Sequence, residues 1–361
     1  MATHFFHSDM VGAPTNTNAA GSTLAIIRAV LSTGFNLLTP QTATVASGVM
    51  TLTYSAPHGY EDKVLLRLDG AAGGSIVRRV TATAGSSSLT IPAPGFADGA
   101  VSGSLSTRVA PAGWGEVFSD TGKAVFRSKA IGPGCTRFYY RVNDATSGSS
   151  TAEFRGFESM TDVDTGIGPF PTVAQDDGQG IHFLRNDSST PRSWCAIADG
   201  RTLYLILGFN SLGAARAWGD MTPYSSSDTF CAFTIGGNAS YGYLTNTNNT
   251  HYVPRIAAGT GAAQTGTRRS LFVSSGDAHT YPSSIDGGMV FSRPVLVNEP
   301  GSNAIRGEMR GMMTCSANPI PSGSLFTVMP TVTGVSGRVC VVRDGGSTGP
   351  AVAFPLDEDW P

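Results

Sequence analysis

The sequence predicts an all-β fold, mainly antiparallel, with one short amphipathic helix near the amino terminus. Runs of apolar or alternating residues of strand length recur about every ten residues, and turns separate them. The turns are rich in small and polar residues, and the chain contains 45 glycines and 21 prolines. No stretch between the runs has the helical period that a parallel crossover needs, which excludes βαβ units. Antiparallel sheets are the architecture that remains.

The chain is predicted to contain more than one unit, because its 361 residues exceed the ~100–200 residues of a typical domain. We divide it into an arm with the helix at 1–39, a small β-barrel or β-sandwich at 40–110, a larger β-sandwich at 111–345 and a tail at 346–361. The linker-like sequence APAGW at 110–114 marks the main boundary. The arm is polar, and we expect it to become ordered along a neighbouring molecule.

The helix is predicted from a periodic apolar pattern that follows the arm. Its apolar face consists of Leu24, Ile27, Val30 and Leu31. Ser22 is the expected N-cap and Gly34 the expected stop signal. The apolar face must cover either the chain's own β core or a neighbouring subunit.

The strands follow from the alternation pattern and from turn residues at their ends. In the small domain the candidates are residues 44–45, 49–54, 63–68, 77–81, 88–91 and 103–109. In the larger domain they are residues 124–127, 137–142, 152–157, 194–197, 202–209, 230–235, 271–273, 290–297, 305–309 and 337–342. Long polar loops at 236–250 and 259–269 are candidate contact surfaces.

Composition and charge exclude several classes of partner. Charged residues make up 14% of the chain and the net charge is −2, so no basic stripe for nucleic acid is present. The sequence shows no signal peptide and no apolar run of the ~20 residues that span a bilayer. We therefore expect synthesis in a cytoplasm, with no nucleic acid partner and no membrane insertion. The five cysteines lack metal-ligand spacing and are predicted to be free thiols.

Enzymatic chemistry finds little support in the sequence. Glu153, Glu158, Asp162 and Asp164 form the one close acidic group, which raises the possibility of a two-carboxylate glycosidase. Acids beside threonine and glycine are more often turn residues whose carboxylates bond their own backbone. The DVDTG segment resembles the start of a calcium loop but lacks the required glycine and glutamate offsets. We predict no catalytic residue, no cofactor and no metal site.

Three segments carry a resemblance to a known family. They are HFFHSDMVGAPTNTNAAGSTLAIIRAVLSTGF at the amino terminus, FRGFESMTDVDTGIGPFPT in the middle and DGRTLYL from Asp199. In this order they resemble a family of tailed-bacteriophage virion structural proteins, over about the first 210 residues. The resemblance implies a location in the virion, with copies of the chain itself and other virion proteins as partners.

Three functional hypotheses follow. The first is a non-enzymatic component of the tail, baseplate or neck, favoured by the size and the two-domain division. The second is a capsid decoration or cement protein, and the third is a binder of host surface glycan. Candidate contact residues are Phe5, Phe6, Leu24, Ile27, Val30, Leu31, Trp218, Tyr241 and Trp360. A glycan groove would use Trp194, Tyr204, Trp218, Tyr224 and Tyr241, although core packing is the expected role of the first two.

Overall fold

The structure is a computed structural model, and it confirms the prediction of an all-β, mainly antiparallel fold. It describes residues 2–71, 74–145, 151–170, 181–184, 188–209, 212–237, 250–254, 268–269, 291–292, 295–298, 305–315, 320, 324–343 and 351–360. The predicted strand at 271–273, the 259–267 part of one polar loop and most of the other lie outside these residues. One helix, α1 (Ser22–Arg28), is continued by a π-helical turn at Ala29–Thr33.

The strands are β1 (His4–His7), β2 (Phe35–Leu38), β3 (Thr42–Ala46), β4 (Val49–Thr53), β5 (Leu65–Ala71), β6 (Gly74–Arg79), β7 (Thr81–Ala82), β8 (Ser88–Pro92), β9 (Gly99–Ala100), β10 (Ser106–Val109), β11 (Gly115–Asp120), β12 (Lys123–Arg127), β13 (Tyr139–Asn143), β14 (Thr151–Met160) and β15 (Gly166–Phe170). They continue with β16 (Ile181–Leu184), β17 (Trp194–Ala198), β18 (Thr202–Phe209), β19 (Leu212–Asp220), β20 (Thr222–Pro223), β21 (Ala232–Gly237), β22 (Thr250–Pro254), β23 (Arg268–Arg269), β24 (Phe291–Ser292), β25 (Leu296–Asn298), β26 (Ile305–Glu308), β27 (Met313–Cys315), β28 (Phe326–Met329), β29 (Val339–Arg343) and β30 (Ala351–Pro355).

Within the described residues these strands form six sheets with antiparallel pairing. The sheet orders are β2-β10-β5-β6, β7-β8-β4-β3-β9, β11-β12-β13-β14-β15 with β16 beside β14, β1-β17-β18-β19-β21-β22, β20-β26-β25-β23 and β24-β27-β30-β29-β28. We call the first two the amino-terminal sheet pair and the fourth the central sheet.

In the amino-terminal sheet pair, strands β3 and β4 alternate buried side chains with more exposed ones, as their sequence predicts. In β3 the residues Ala43 and Val45 are buried, and in β4 Met50 and Leu52 are buried. These side chains and those of the facing sheet, such as Leu68, belong to one apolar cluster. Each sheet therefore has one face in the core and one face toward solvent.

The central sheet differs because both of its faces are buried. In β18 Leu203 and Leu205 join the cluster that contains α1 and the sheet pair, whereas Tyr204 and Ile206 join a second cluster with β29 and β30. All five residues of β17 are buried. A strand buried on both faces needs apolar side chains at consecutive positions, which explains the continuous run at residues 202–209.

The amino terminus of α1 is capped differently from the prediction. Gly21, in the left-handed conformation with φ of 80°, is the N-cap, and Ser22 makes no capping bond. The hydroxyl of Ser22 instead donates to the carbonyl of Thr15 at 2.8 Å. The backbone N–H of Leu24 donates to Oδ2 of Asp144 at 3.0 Å. A carboxylate that is distant in the sequence therefore satisfies this N–H group, a partner that no local pattern reveals.

The predicted division into domains stays a prediction, although apolar contacts cross its main boundary. One apolar cluster runs from Phe6 to Ala232. At residues 110–114, the N–H of Trp114 donates to the carbonyl of Leu31 at 2.9 Å, so this segment binds the end of the helical region. In the segment predicted as a tail, β30 pairs with β27 and β29 and is fully buried.

Candidate functional site: predicted contact residues and a buried ionic cluster

The two phenylalanines of the arm, Phe5 and Phe6, lie on β1 at the edge of the central sheet. Phe6 is buried, and its ring centroid is 6.2 Å from that of Phe35. Phe5 is half-buried and meets Phe326 edge to face at 5.4 Å. The arm therefore pairs with the chain's own sheet, which corrects the expectation that a neighbour orders it.

The four helical contact candidates also face the chain's own core. Leu24, Ile27, Val30 and Leu31 are each at most 1% exposed. Of the two surfaces that this face was expected to cover, the chain's own β core is the one observed. The signal for this outcome was present in the sequence, because Ile26 and Ala29 make the helix apolar on a second side. A helix that is apolar nearly all round is typical of a buried position.

The two tryptophans among the contact candidates are buried as well. Trp218 is fully buried and stacks on Phe154 with ring centroids 4.1 Å apart. Trp360 is 3% exposed, lies edge to face with Tyr204 and donates from Nε1 to the carbonyl of Pro355 at 3.2 Å. Neither indole is presented to another molecule. Tyr241, the ninth candidate, lies outside the described residues.

The aromatic residues proposed for a glycan groove do not come together at the described surface. Trp194 and Tyr204 are fully buried, which confirms the expected core role of both. Trp194 Nε1 donates to the carbonyl of Pro14 at 2.7 Å, and the Tyr204 hydroxyl donates to the carbonyl of Arg310 at 2.8 Å. Tyr224 is the one described candidate that is exposed, at 56%.

The acidic residues that raised the glycosidase and calcium hypotheses form hydrogen bonds and ion pairs with other groups of the chain. Oδ1 of Asp162 accepts hydrogen bonds from the backbone N–H groups two and three residues later, both at 2.7 Å, which confirms its expected turn role. Asp164 pairs with Lys123 at 2.7 Å, and Glu153 pairs with Arg141 at 2.9 Å. Cationic side chains therefore occupy oxygens that a calcium ion would need. In the described part of the chain, no three histidine, cysteine or acidic side chains lie close enough to hold a metal ion.

A buried ionic cluster, which the sequence did not predict, lies in the interior of the described part of the chain. It consists of Asp199, Arg201, Asp220 and Arg310 together with Thr136. Three of the ionisable side chains are at most 3% exposed, and that of Arg201 is 11% exposed. The sequence signal was weak, since Asp199 and Arg201 share one turn but Thr136, Asp220 and Arg310 are distant from one another along the chain.

Asp199 forms one half of this cluster at the turn between β17 and β18. Its Oδ1 accepts the backbone N–H groups of Arg201 at 2.8 Å and Thr202 at 2.7 Å, which fixes the turn. Its Oδ2 accepts a hydrogen bond from Nη2 of Arg310 at 2.5 Å. Its backbone carbonyl accepts the indole N–H of Trp114 at 2.9 Å. The DGRTLYL segment therefore begins with a residue whose carboxylate and backbone carbonyl together join its own turn to Arg310 and to Trp114.

Asp220 forms the other half at the end of β19. Its carboxylate accepts the hydroxyl of Thr136 at 2.6 Å, and Nε of Arg201 lies at 3.5 Å, an ion-pair distance without hydrogen-bond geometry. Burial raises the pKa of Asp220 to about 6, although the Thr136 hydrogen bond and the charges of Arg201 and Arg310 lower it. Burial also raises the pKa of the neighbouring Cys231 thiol to about 12, so this group stays protonated at neutral pH.

The geometry of the buried ionic cluster favours a structural role. The closed positions of Asp199, Asp220 and Arg310 leave no described path for a substrate. Each carboxylate has a cationic partner and hydrogen-bond donors, which is the condition under which a buried charge is tolerated. Removal of one partner would leave the other charge uncompensated. The cluster therefore fixes how the central sheet packs on the segment around Arg310.

A small charged cleft lies between the arm, residues 61–65 and the segment around Arg338. Arg338 Nη2 lies 2.9 Å and Arg79 Nη1 3.4 Å from Oδ1 of Asp357. The cavity volume of about 20 Å³ is close to the ~10–15 Å³ that a single water molecule requires. The cleft therefore has polar and charged groups in its lining and room for about one water molecule.

Comparisons of the chain with family models, with curated proteins and with solved structures give no match. Among the described helical residues, no helix is long and apolar enough to cross a membrane.

Proposed function

We propose that the chain is a non-enzymatic structural component of a tailed-phage virion, most fittingly of the tail, baseplate or neck. It acts through symmetric contacts with copies of itself and with other virion proteins, not through nucleic acid or membrane insertion. It is made in the cytoplasm of the host and functions in the assembled particle.

The observation that carries this proposal is that charged side chains of the fold bond to one another or to the backbone. The carboxylates of Asp164, Asp199 and Asp357, for example, are paired with lysine, arginine or backbone N–H groups. The exposed face of the sheet β7-β8-β4-β3-β9 offers hydroxyl and methyl groups instead. Such a surface suits repeated protein contacts, which need complementary area and no chemical centre.

The resemblance of three sequence segments to virion proteins supports the same proposal. The structure adds a physical reason why two of these segments have their residues. DGRTLYL begins the turn that Asp199 fixes, and the ESMTDVDTG segment forms the hairpin that Asp162 fixes. Both segments specify a stable scaffold, which a particle component needs.

The test is quantitative mass spectrometry of purified virions separated into heads and tails. We expect the chain to be enriched with tails at a low copy number set by the rotational symmetry of the tail. Many copies that travel with heads would support the capsid decoration alternative instead. Absence from both fractions would overturn the virion proposal.

A further inference from the structure

The outer face of the sheet β7-β8-β4-β3-β9 carries a regular array of hydroxyl-bearing side chains. Thr44 of β3 lies opposite Thr51 of β4, Thr51 lies opposite Thr90 of β8, and Thr90 lies opposite Thr81 of β7. One row of four threonines therefore crosses four strands. A second, parallel row contains Thr42, Thr53 and Ser88.

We define the threonine face as the outward-facing strand residues of this sheet, which include these two rows. Its members are Thr42, Thr44, Ala46, Val49, Thr51, Thr53, Thr81, Ser88, Thr90, Pro92 and Ala100. All of them are exposed or half-exposed. The residues that alternate with them, such as Met50, Leu52 and Ile91, point into the core. The face is therefore a solvent-facing surface without a single charged side chain.

The absence of charge is a local property and not a general one of this chain. On the outer side of the other sheet of the pair, Nε of Arg67 lies 2.8 Å from Oδ1 of Asp69, and Arg108 lies 3.4 Å from Oδ2 of the same carboxylate. A solvent-facing surface usually carries charged residues of both signs, which keep it from associating with other molecules. The threonine face lacks this protection.

We propose that the threonine face is a self-contact, in which it packs against the same face of a second copy of this chain. An uncharged face meets its copy without like-charge repulsion and without the cost of removing ions from water. Threonine hydroxyls both donate and accept hydrogen bonds, so two such arrays can satisfy each other. Two sheets of equal twist pack face to face at about 30°, which a two-fold axis permits.

The size of the face determines the strength of the contact. Five strands about 4.8 Å apart and about five residues long cover at most ~19 by ~17 Å, roughly 300 Å². Stable interfaces bury ~800 Å² on each partner. The contact is therefore weak between free molecules and becomes effective where copies are held side by side at high effective concentration.

This contact deepens the proposed function, since it supplies one of the copy-to-copy contacts of an assembly. It is nevertheless a property of the isolated chain and is tested without a virion. Failure of the self-contact leaves the mass-spectrometric result untouched, and absence from virions leaves the self-contact untouched.

The experiment is sedimentation equilibrium of the purified full-length chain over a concentration series that reaches about 1 mM. We expect the weight-average mass to rise with concentration for the wild type. Thr44→Lys places a like charge on each copy and should weaken the association at least tenfold, with partial recovery at high salt. Thr81→Lys, at the other end of the row, should do the same and provides a second variant if the first does not fold.

Ser119→Lys is the matched control, because Ser119 is an exposed strand hydroxyl on β11, in a different sheet. It should associate like the wild type. A wild-type mass that stays constant over the whole series would overturn the proposal. An equal loss in the Ser119 control, or no loss in either threonine variant, would assign the association to another surface and overturn it as well.

Discussion

The two outer faces of the amino-terminal sheet pair differ in chemistry although the sheets are built alike. Both sheets direct alternate apolar side chains into the same cluster. On one outer face Arg67, Asp69 and Arg108 form ion pairs, whereas the threonine face has no charged residue. Core packing determines the inner side chains of each strand but leaves the outer ones free. The side chains on the outer side of a sheet therefore indicate which surroundings that side contacts.

The first prediction concerns the inner and outer sides of a single strand. Leu52 and Thr51 are neighbours on β4, with Leu52 fully buried and Thr51 on the threonine face. Leu52→Ala should lower the free energy of unfolding by about 2–5 kcal/mol, because it removes buried methyl groups and leaves a cavity. Thr51→Ala should change it by less than about 1 kcal/mol. Urea denaturation of both variants measures the difference.

Equal losses in the two variants would mean that the outer side of β4 is as tightly packed as the inner side. The threonine face would then be an internal surface of the molecule.

The second prediction contrasts the buried charge of Asp220 with the partly exposed ion pairs around Asp69. The pKa of Asp220 is raised to about 6 by burial, above its ordinary value, so the folded state holds its proton more tightly than the unfolded state. The associated stability is fully present below about pH 4 and is lost as the pH rises through about 6. A shift of this size corresponds to roughly 2–3 kcal/mol.

The variant Asp220→Asn lacks this titration. The stability of the wild type relative to Asp220→Asn should therefore fall between about pH 4 and pH 6 and stay constant above that range. Denaturation at a series of pH values measures it, with Asp98→Asn as the control for removal of an exposed carboxylate. A difference that is independent of pH would show that Asp220 titrates as an ordinary surface acid.

The sequence predicted the features of this fold that depend on local patterns. The strand at residues 202–209 was predicted with its observed bounds, and the predicted strand at 194–197 is one residue shorter than β17. The patterns do not tell which side of an apolar element meets which partner. For this reason the apolar face of α1 was assigned as a contact surface, although it packs on the chain's own sheets.

Features that join distant residues escaped prediction. The bond from Leu24 to Asp144 and the pairing of Asp199 with Arg310 connect residues more than a hundred positions apart. Strand β1 was missed because its four residues pair with β17, a distant strand, and its sequence reads as part of a polar arm. The threonine rows became visible only when the register of β3, β4 and β8 was known.

The third prediction concerns the outer face that carries Arg67, Asp69 and Arg108. Burial acts to raise the pKa of Asp69, but hydrogen bonds from Ser75 and Arg67 and the charges of Arg67 and Arg108 outweigh it and lower the pKa. A lowered pKa contributes stability that is present above the ordinary value and is lost as the pH falls through the folded-state value. Asp69→Asn should cost at most about 1 kcal/mol at neutral pH, because the pairs are partly exposed.

The loss in Asp69→Asn should also shrink in high salt and at acidic pH. Thr42→Asn on the threonine face is the control, since it changes an exposed strand residue without removing a charge. Salt-dependent stability in the control, or none in Asp69→Asn, would contradict the contrast between the faces.

The last prediction distinguishes the methyl groups of the threonine face from its hydroxyls. Thr44→Ser keeps the hydroxyl and removes one methyl group from each copy, whereas Thr44→Val keeps the shape and removes the hydroxyl. A buried methyl contributes about 0.8 kcal/mol, so the two methyl groups lost from a contact of two copies amount to about 1.6 kcal/mol, or roughly a fifteenfold change in affinity. If the methyl layer holds two copies together, Thr44→Ser should weaken self-association roughly fifteenfold and Thr44→Val should leave it equal or stronger. The reverse order in sedimentation equilibrium would assign the contact to hydroxyl pairing, since the hydroxyl rows of two copies would then supply the binding energy.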